Sequence, residues 1–249
     1  MKNRPLVSII LTYYKKSDFI KKALNSVKKQ SYKNYEIILV YDDTDRSDLK
    51  LIKSLLHNFK NYKIILNAKN FGAAKSKNIG AKNSKGKFLA FLDADDFWAS
   101  QKLEYQIKIM HNSDYDITYT EYYIVSEKGT ILNTRRVSKN MNYKKLLQNC
   151  EIGLSTVIAK RDLFKKFQFP LIKTQEDFGL WLMLFRHKVK FKEIDKTLSY
   201  WRKTKNSLSS NILQKLQDAF QVFYKFEKKN LISSIFSIII LSINKIVKN

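Results

Sequence analysis

Three aspartates, Asp93, Asp95 and Asp96, follow the unbroken apolar run Phe88-Leu89-Ala90-Phe91-Leu92, with Ala94 between the first and second. Carboxylates this close repel one another unless a cation neutralises them. Magnesium-like ions take one or two carboxylates and fill the rest of their shell with phosphate oxygens and water. The chemistry on offer is metal-assisted handling of a phosphate-bearing substrate. Alternate residues of an extended chain point the same way, so Asp93 and Asp95 could share one divalent ion. The competing reading is a solvated turn capping a helix that starts near Ser100, because a lone Asp-x-Asp is a weak signal.

The acids need an element to position them. A continuous apolar run suits a strand covered on both faces, as in a parallel sheet. The acids then sit at its carboxyl end, the edge where open α/β sheets bind ligands. The segments before it read as strand and helix in alternation. Leu6 to Leu11, Tyr35 to Val40 and Lys63 to Leu66 are strands; Ser17 stands as a cap before the apolar face Ile20, Ala23, Leu24 and Val27, and Ile52, Leu55, Leu56 and Phe59 mark a second face. Single helices between apolar strands imply right-handed crossovers and a Rossmann-like, largely parallel sheet. Asn70 to Gly80 is a loop entering a helix, its glycines off the dinucleotide and P-loop spacings.

Beyond the acids, a helix on Leu103, Ile107 and Met110 precedes a hairpin around Lys128-Gly129 and a short strand over 153–159. Thr174 and Asp177 have capping-box spacing ahead of a helix whose core face is Phe178, Trp181, Leu182 and Phe185. Ser199 to Arg202 closes a final strand. A polar loop with Ser207 to Ser210 then leads to a helix over 213–228 and an apolar tail from Leu231 to Leu241. That tail is short for a membrane span, which takes about twenty residues. With Lys225, Lys228, Lys229, Lys245 and Lys248 around it, it has the pattern of a helix lying in an anionic membrane surface. The alternative is docking on the domain or on a second subunit.

The chain has 249 residues, enough for one large α/β domain. Its net charge of +25 favours anionic partners. The basic residues are scattered, without the clustered pattern of a nucleic-acid reader, so no nucleic acid is expected. Cys150 is the one cysteine, which excludes an internal disulfide, and His57, His111 and His187 show no ligand spacing. The amino terminus runs straight into a strand pattern with no signal-peptide core, so a cytoplasmic protein is expected, with its tail on the inner membrane face.

The order of motifs over residues 4–210 resembles the family 2 glycosyltransferases with their GT-A fold. The resemblance rests on Val7 to Ile10, Asp42-Asp43, Asn70-x-Gly72 through Lys77-Asn78, Asp93-x-Asp95-Asp96 with Trp98 and Lys102-Leu103-Glu104, Glu176-Asp177 before Leu180-Trp181, and Tyr200-x-Arg202. Within the family the chain is similar to bacterial enzymes of cell-surface polysaccharide synthesis, of the teichuronic-acid type. The resemblance implies a GT-A domain over 1–210, with a nucleotide-sugar half over 1–100 and an acceptor half over 101–210, followed by a helical tail over 211–249.

The implied reaction is inverting transfer of one sugar from a nucleotide-diphosphate donor, usually a UDP-sugar, to a saccharide or lipid-linked acceptor. Asp43 matches the acid that reads the base, with Asp42 beside it. Asn70, Lys77 and Asn78 match the donor-binding loop and helix, Asp93 faces ribose or sugar, and Asp95 holds a divalent metal, Mn2+ or Mg2+. Asp177 matches the catalytic base, and Arg202 a partner for diphosphate oxygens. The chain departs from the family pattern at Thr44-Asp45, where Gly-Ser is usual, and at Lys77, where arginine is common. The competing functions are a sugar-nucleotidyltransferase-like enzyme and a non-catalytic basic module binding nucleic acid or lipid.

Overall fold

The computed structural model describes residues 4–205 and 211–247, with side chains through 244. The Ser207 to Ser210 loop and Lys248 lie outside the described residues, as does the side chain of Lys245. The first half is the alternation expected. Strand β1 (Val7–Tyr13) leads through helix α1 (Ser17–Lys28) to β2 (Tyr35–Tyr41), then α2 (Leu49–Leu56), β3 (Tyr62–Leu66), α3 (Ala73–Lys82) and β4 (Phe88–Asp93). These four strands are parallel in the order β3-β2-β1-β4.

Side-chain alternation builds one core on each face. Val7, Ile9, Leu11 and Tyr13 pack under α1, while Ile10, Ile38 and Val40 pack under α3. Both faces are covered, which is why β4 reads as an unbroken apolar run. Fully burying each such aliphatic side chain contributes about 1.5–3 kcal/mol. Gly80 lets α3 sit close on the sheet: a Cβ there would lie 2.5 Å from Ile10 Cγ2.

The second half continues the same sheet with mixed polarity. β5 (Phe97–Trp98) is followed by α4 (Lys102–His111), the hairpin β6 (Ile117–Val125) and β7 (Ile131–Arg135), α5 (Tyr143–Gln148), β8 (Ile158–Lys160), α6 (Leu163–Lys166), α7 (Glu176–Arg186) and β9 (Phe191–Arg202). The nine-stranded sheet runs β3-β2-β1-β4-β8-β6-β9-β5, with β7 on β6. Contacts β4–β8, β8–β6 and β5–β9 are antiparallel, and β6–β9 is parallel. Helix α8 (Ile212–Gln221), a π-helical turn and helix α9 (Leu231–Val247) complete the described residues. No helix among the described residues is long and apolar enough to cross a membrane.

Three local expectations are corrected. The strand over 153–159 shortens to β8, because Leu154–Thr156 winds into a 3-10 turn with Thr156 N–H on Gly153 O. Ser17 is the first helical residue of α1 and makes no side-chain cap; Lys16 precedes it. The capping box at α7 does not form. Gln175, at φ 63°, precedes that helix, and the Thr174 hydroxyl donates instead to Asp218 on α8 at 2.8 Å.

Candidate active site

The carboxyl ends of β1, β2 and β4 meet at one sheet edge, where Thr12 lies in register with Asp93 and Tyr13 with Tyr41. The amino ends of α3 and α7 close on the same edge. At the end of β4 the backbone stops being extended: Asp96 N–H donates to Asp93 O at 3.0 Å, folding the acids into a turn. The expectation that Asp93 and Asp95 alternate along an extended chain is therefore corrected. Ser155 binds the turn together, accepting from Asp93 N–H at 3.2 Å and donating to Asp96 Oδ2 at 2.6 Å. Asp96 is 2% exposed, and burial pushes its carboxyl well up, with Asp95 and Asp93 adding to the effect.

Each remaining acid meets a lysine. Asp95 Oδ2 lies 2.9 Å from Lys16 Nζ, which also donates to Thr204 Oγ1. Asp93 Oδ1 lies 3.8 Å from Lys77 Nζ, and the same ammonium lies 2.6 Å from Glu176 Oε1. Burial alone would pull Lys77 down, but Glu176, Asp93 and Asp177 outweigh it and hold the ammonium above its ordinary range. Burial raises Asp93, countered by Lys77 and reinforced by Asp95.

Asp177 is half-buried and accepts a hydrogen bond from the neighbouring Phe178 N–H at 2.8 Å. Burial, then the charge of Glu176 beside it, push its carboxyl up to about 7. A carboxylate titrating there is matched to taking a proton near neutral pH. Its charge reaches Tyr122 on β6 and the Cys150 thiol. Cys150 itself is a packed side chain whose Sγ contacts Ile152 O at 3.8 Å, raised by burial and far from reactive.

The other expected site residues divide. Asp43 is buried at the end of β2 and accepts from Asp45 N–H at 3.2 Å. Asp42 turns inward: its two oxygens take Asn67 Nδ2 at 2.7 Å and the N–H groups of Phe71 and Gly72 at 2.8 Å each. It fixes the loop that enters α3, where Gly72 adopts φ 84°. Asn70 is exposed and accepts from Gly72 N–H at 3.0 Å. Asn78 exchanges two hydrogen bonds with the backbone of Phe169, at 3.0 and 2.9 Å, so its amide ties α3 to the following core.

Arg202 directs its guanidinium to main-chain oxygens. Nε donates to Asp95 O at 2.8 Å, Nη1 to Ser126 O at 3.2 Å and to Glu127 O, and its own N–H holds Asp96 Oδ1 at 2.9 Å. It braces the acidic turn against the β6–β7 hairpin, with the rings of Phe19 and Phe97 on its faces. Lys16, Ser155 and Glu176 are the residues that the sequence reading did not assign roles. The position of Lys16 just past the carboxyl end of β1 was the one available signal for it.

The donor set fits one kind of metal. Among the described residues, no three of His, Cys, Asp and Glu form a group able to hold an ion by themselves. One or two carboxylates at an open edge suit a hard divalent ion that draws the rest of its shell from phosphate and water. The Lys16 ammonium lies 2.9 Å from Asp95 Oδ2, so an ion bound there would share or displace that partner.

The model of the family described as Glycosyl transferase family 2 matches residues 8–169. A Haemophilus influenzae protein called an uncharacterized glycosyltransferase is 30% identical over 99% of this chain and 98% of its own length. The Escherichia coli protein WfgD, named a UDP-Glc:alpha-D-GlcNAc-diphosphoundecaprenol beta-1,3-glucosyltransferase, is 34% identical over 89% of this chain and 86% of its own. The Bacillus subtilis protein TuaG, named a putative teichuronic acid biosynthesis glycosyltransferase, is 28% identical, covering 90% of each. Among solved structures, Staphylococcus aureus TarS 1-349 with UDP-GlcNAc aligns at TM-score 0.71 and 22% identity, over 88% of this chain and 65% of that one. Pyrobaculum calidifontis PcManGT with GDP-Man and Mn2+ aligns at 0.72 and 13% identity, over 97% and 74%. These two structures share the GT-A fold with the chain.

Proposed function

The chain belongs to glycosyl transferase family 2 and is a glycosyltransferase, and from that premise we propose a specific reaction. It moves one sugar from a UDP-sugar to a hydroxyl of a saccharide or lipid-linked acceptor, with inversion at the anomeric carbon, in cell-surface polysaccharide synthesis. Family membership displaces both the nucleotidyltransferase and the non-catalytic alternatives. The observation that carries the reading is Asp177, half-buried at the head of α7 with its carboxyl raised to about 7, joined to the acidic turn through Glu176, Lys77 and Asp93.

Asp177 takes the proton of the acceptor hydroxyl as that oxygen attacks, because a hydroxyl is a poor nucleophile until the proton leaves. Inversion follows from one displacement with the base opposite the leaving group. Asp43 reads the base, on a β2 end that Asp42 holds still by anchoring Phe71 and Gly72. Asn70 lines the donor's approach from the α3 side, Lys77 supports the donor site from beneath through Asp93 and Glu176, Asn78 keeps α3 in place, and Asp93 meets ribose or sugar. Asp95, with Asp93 beside it, would hold Mn2+ or Mg2+, whose chemistry when bound is to neutralise charge growing on the departing diphosphate. Lys16 and Arg202 add fixed positive charge around the same turn. The names of WfgD and TuaG, the UDP-GlcNAc in the TarS structure and the Mn2+ in that of PcManGT support donor, acceptor and metal class.

A panel of nucleotide sugars in a thermal-stability assay with Mn2+ tests this. UDP-sugars stabilise the wild type, and Asp95→Ala abolishes the effect. Stabilisation by no nucleotide sugar would overturn the reading.

A further inference from the structure

We propose that the outer face of α9 forms a docking surface for an anionic lipid bilayer. Helix α9 has two different sides. Ser234 is fully buried, and Ile238 and Leu241 pack on the second core, whereas Ile232 (80% exposed), Ile235, Phe236 (63%), Ile239 and Ile243 face solvent. Spacings of three and four residues align these into one ridge. Ile212 and Leu213 at the start of α8 are also exposed, at 70% and 73%. Isolated exposed apolar residues need no explanation, but a ridge of this length marks an interaction site.

Charge decides the occupant. Lys144 and Lys229 line the groove between α5 and α9 together with Ile232 and Phe236, and Lys225 and Lys228 are exposed just before α9. The acids between 211 and 244 are Asp218 and Glu227, and both turn inward. Asp218 is 1% exposed and accepts from Thr174; Glu227 accepts from Tyr143 and pairs with Arg186. The surface thus combines exposed apolar side chains with lysines whose charge no neighbouring exposed acid of the tail offsets. The same face of a second copy would bring no exposed acid to these lysines, because Asp218 and Glu227 are turned inward there too, whereas anionic headgroups over acyl chains complement both features. Helix α5 packs on both α9 and α7, so it lies between the docked helix and the helix that carries Asp177. The inference stands on this surface and does not require the sugar-transfer reading.

Sedimentation of the full chain with vesicles tests it. Binding is expected to phosphatidylcholine vesicles containing phosphatidylglycerol and not to phosphatidylcholine alone, with release as salt rises. Ile232→Asp with Phe236→Asp lowers the partition coefficient at least about tenfold, and Lys225→Glu or Lys228→Glu lowers it by roughly fivefold or more each. Thermal melts confirm that each variant folds. The proposal is overturned by absence of binding to anionic vesicles, by binding that survives the double Asp variant, or by a dimer in sedimentation velocity that this variant dissolves while vesicles bind neither protein. The nucleotide-sugar assay contains no lipid, so either reading can fail alone.

Discussion

The ammonium of Lys77, on α3, lies 2.6 Å from a carboxylate oxygen of Glu176, the first residue of α7. Both side chains are almost wholly buried, and the pair joins α3 to the helix that presents Asp177. Removing one partner of a buried pair strands the other's charge, which is the costly case.

Lys77→Met therefore destabilises the fold by about 3–5 kcal/mol. Adding Glu176→Gln recovers part of that loss, since no charge is then stranded at that pair. Urea denaturation of the two single variants and the double variant measures the coupling. Additive costs would show that the pair contributes no coupling.

Asp177 titrates near 7, chiefly through burial and then through Glu176, and only its ionised form accepts a proton. Turnover should climb about tenfold per pH unit below that point and level above it. A rate profile from pH 5 to 9 checks this. Stability has the opposite sign. The folded state holds the proton more tightly than the unfolded chain, so ionised Asp177 weakens the fold above about 7. Asp177→Asn is then more stable than wild type at pH 8, and its advantage fades as pH falls through 7 toward the unfolded carboxyl value of 3.8.

Lys102 is fully buried, its Nζ has no hydrogen-bond partner, and it sits 4.4 Å from the centre of the Trp98 ring. Burial lowers its pKa well below the ordinary lysine value. Protonation favours the unfolded chain, so stability falls as pH drops below 10.5. Lys102→Met is expected to stabilise the protein by about 1–4 kcal/mol at neutral pH, with a smaller gain near pH 10, read by denaturant melts at both values.

Gly80→Ala gains up to about 1 kcal/mol of helix propensity but places a methyl 2.5 Å from Ile10 Cγ2. Overpacking costs about 1–3 kcal/mol, so the steric term is expected to win. A lowered melting temperature checks the direction, and a raised one would show that α3 can move off the sheet.

What the sequence made legible follows from locality. Five buried residues in a row announce β4, and strand-helix alternation announces the parallel half, because both are periodic within one element. The adjacency of Glu176 and Asp177 at a helix start is local too. Lys16 is marked only by its place just past β1, one lysine among many until the fold sets its ammonium 2.9 Å from Asp95. Thr174 and Asp177 share a capping spacing, yet Asp218 on a distant helix takes the Thr174 hydroxyl. Arg202 has the chemistry of an anion receptor, and the fold gives its Nε and Nη1 a further task that no spacing shows, on carbonyl oxygens of residues 95, 126 and 127. Such assignments depend on which distant backbone arrives first, and no spacing rule carries that.

The central claim is that Asp177 is the base and the acidic turn is the donor site. Titrating UDP-sugar and Mn2+ into Asp177→Asn, and assaying transfer with the same preparation, separates the two roles. Donor affinity within about twofold of wild type, with turnover reduced about 10²- to 10⁴-fold, is the expected result. Undiminished turnover, or donor binding lost along with it, would contradict the assignment.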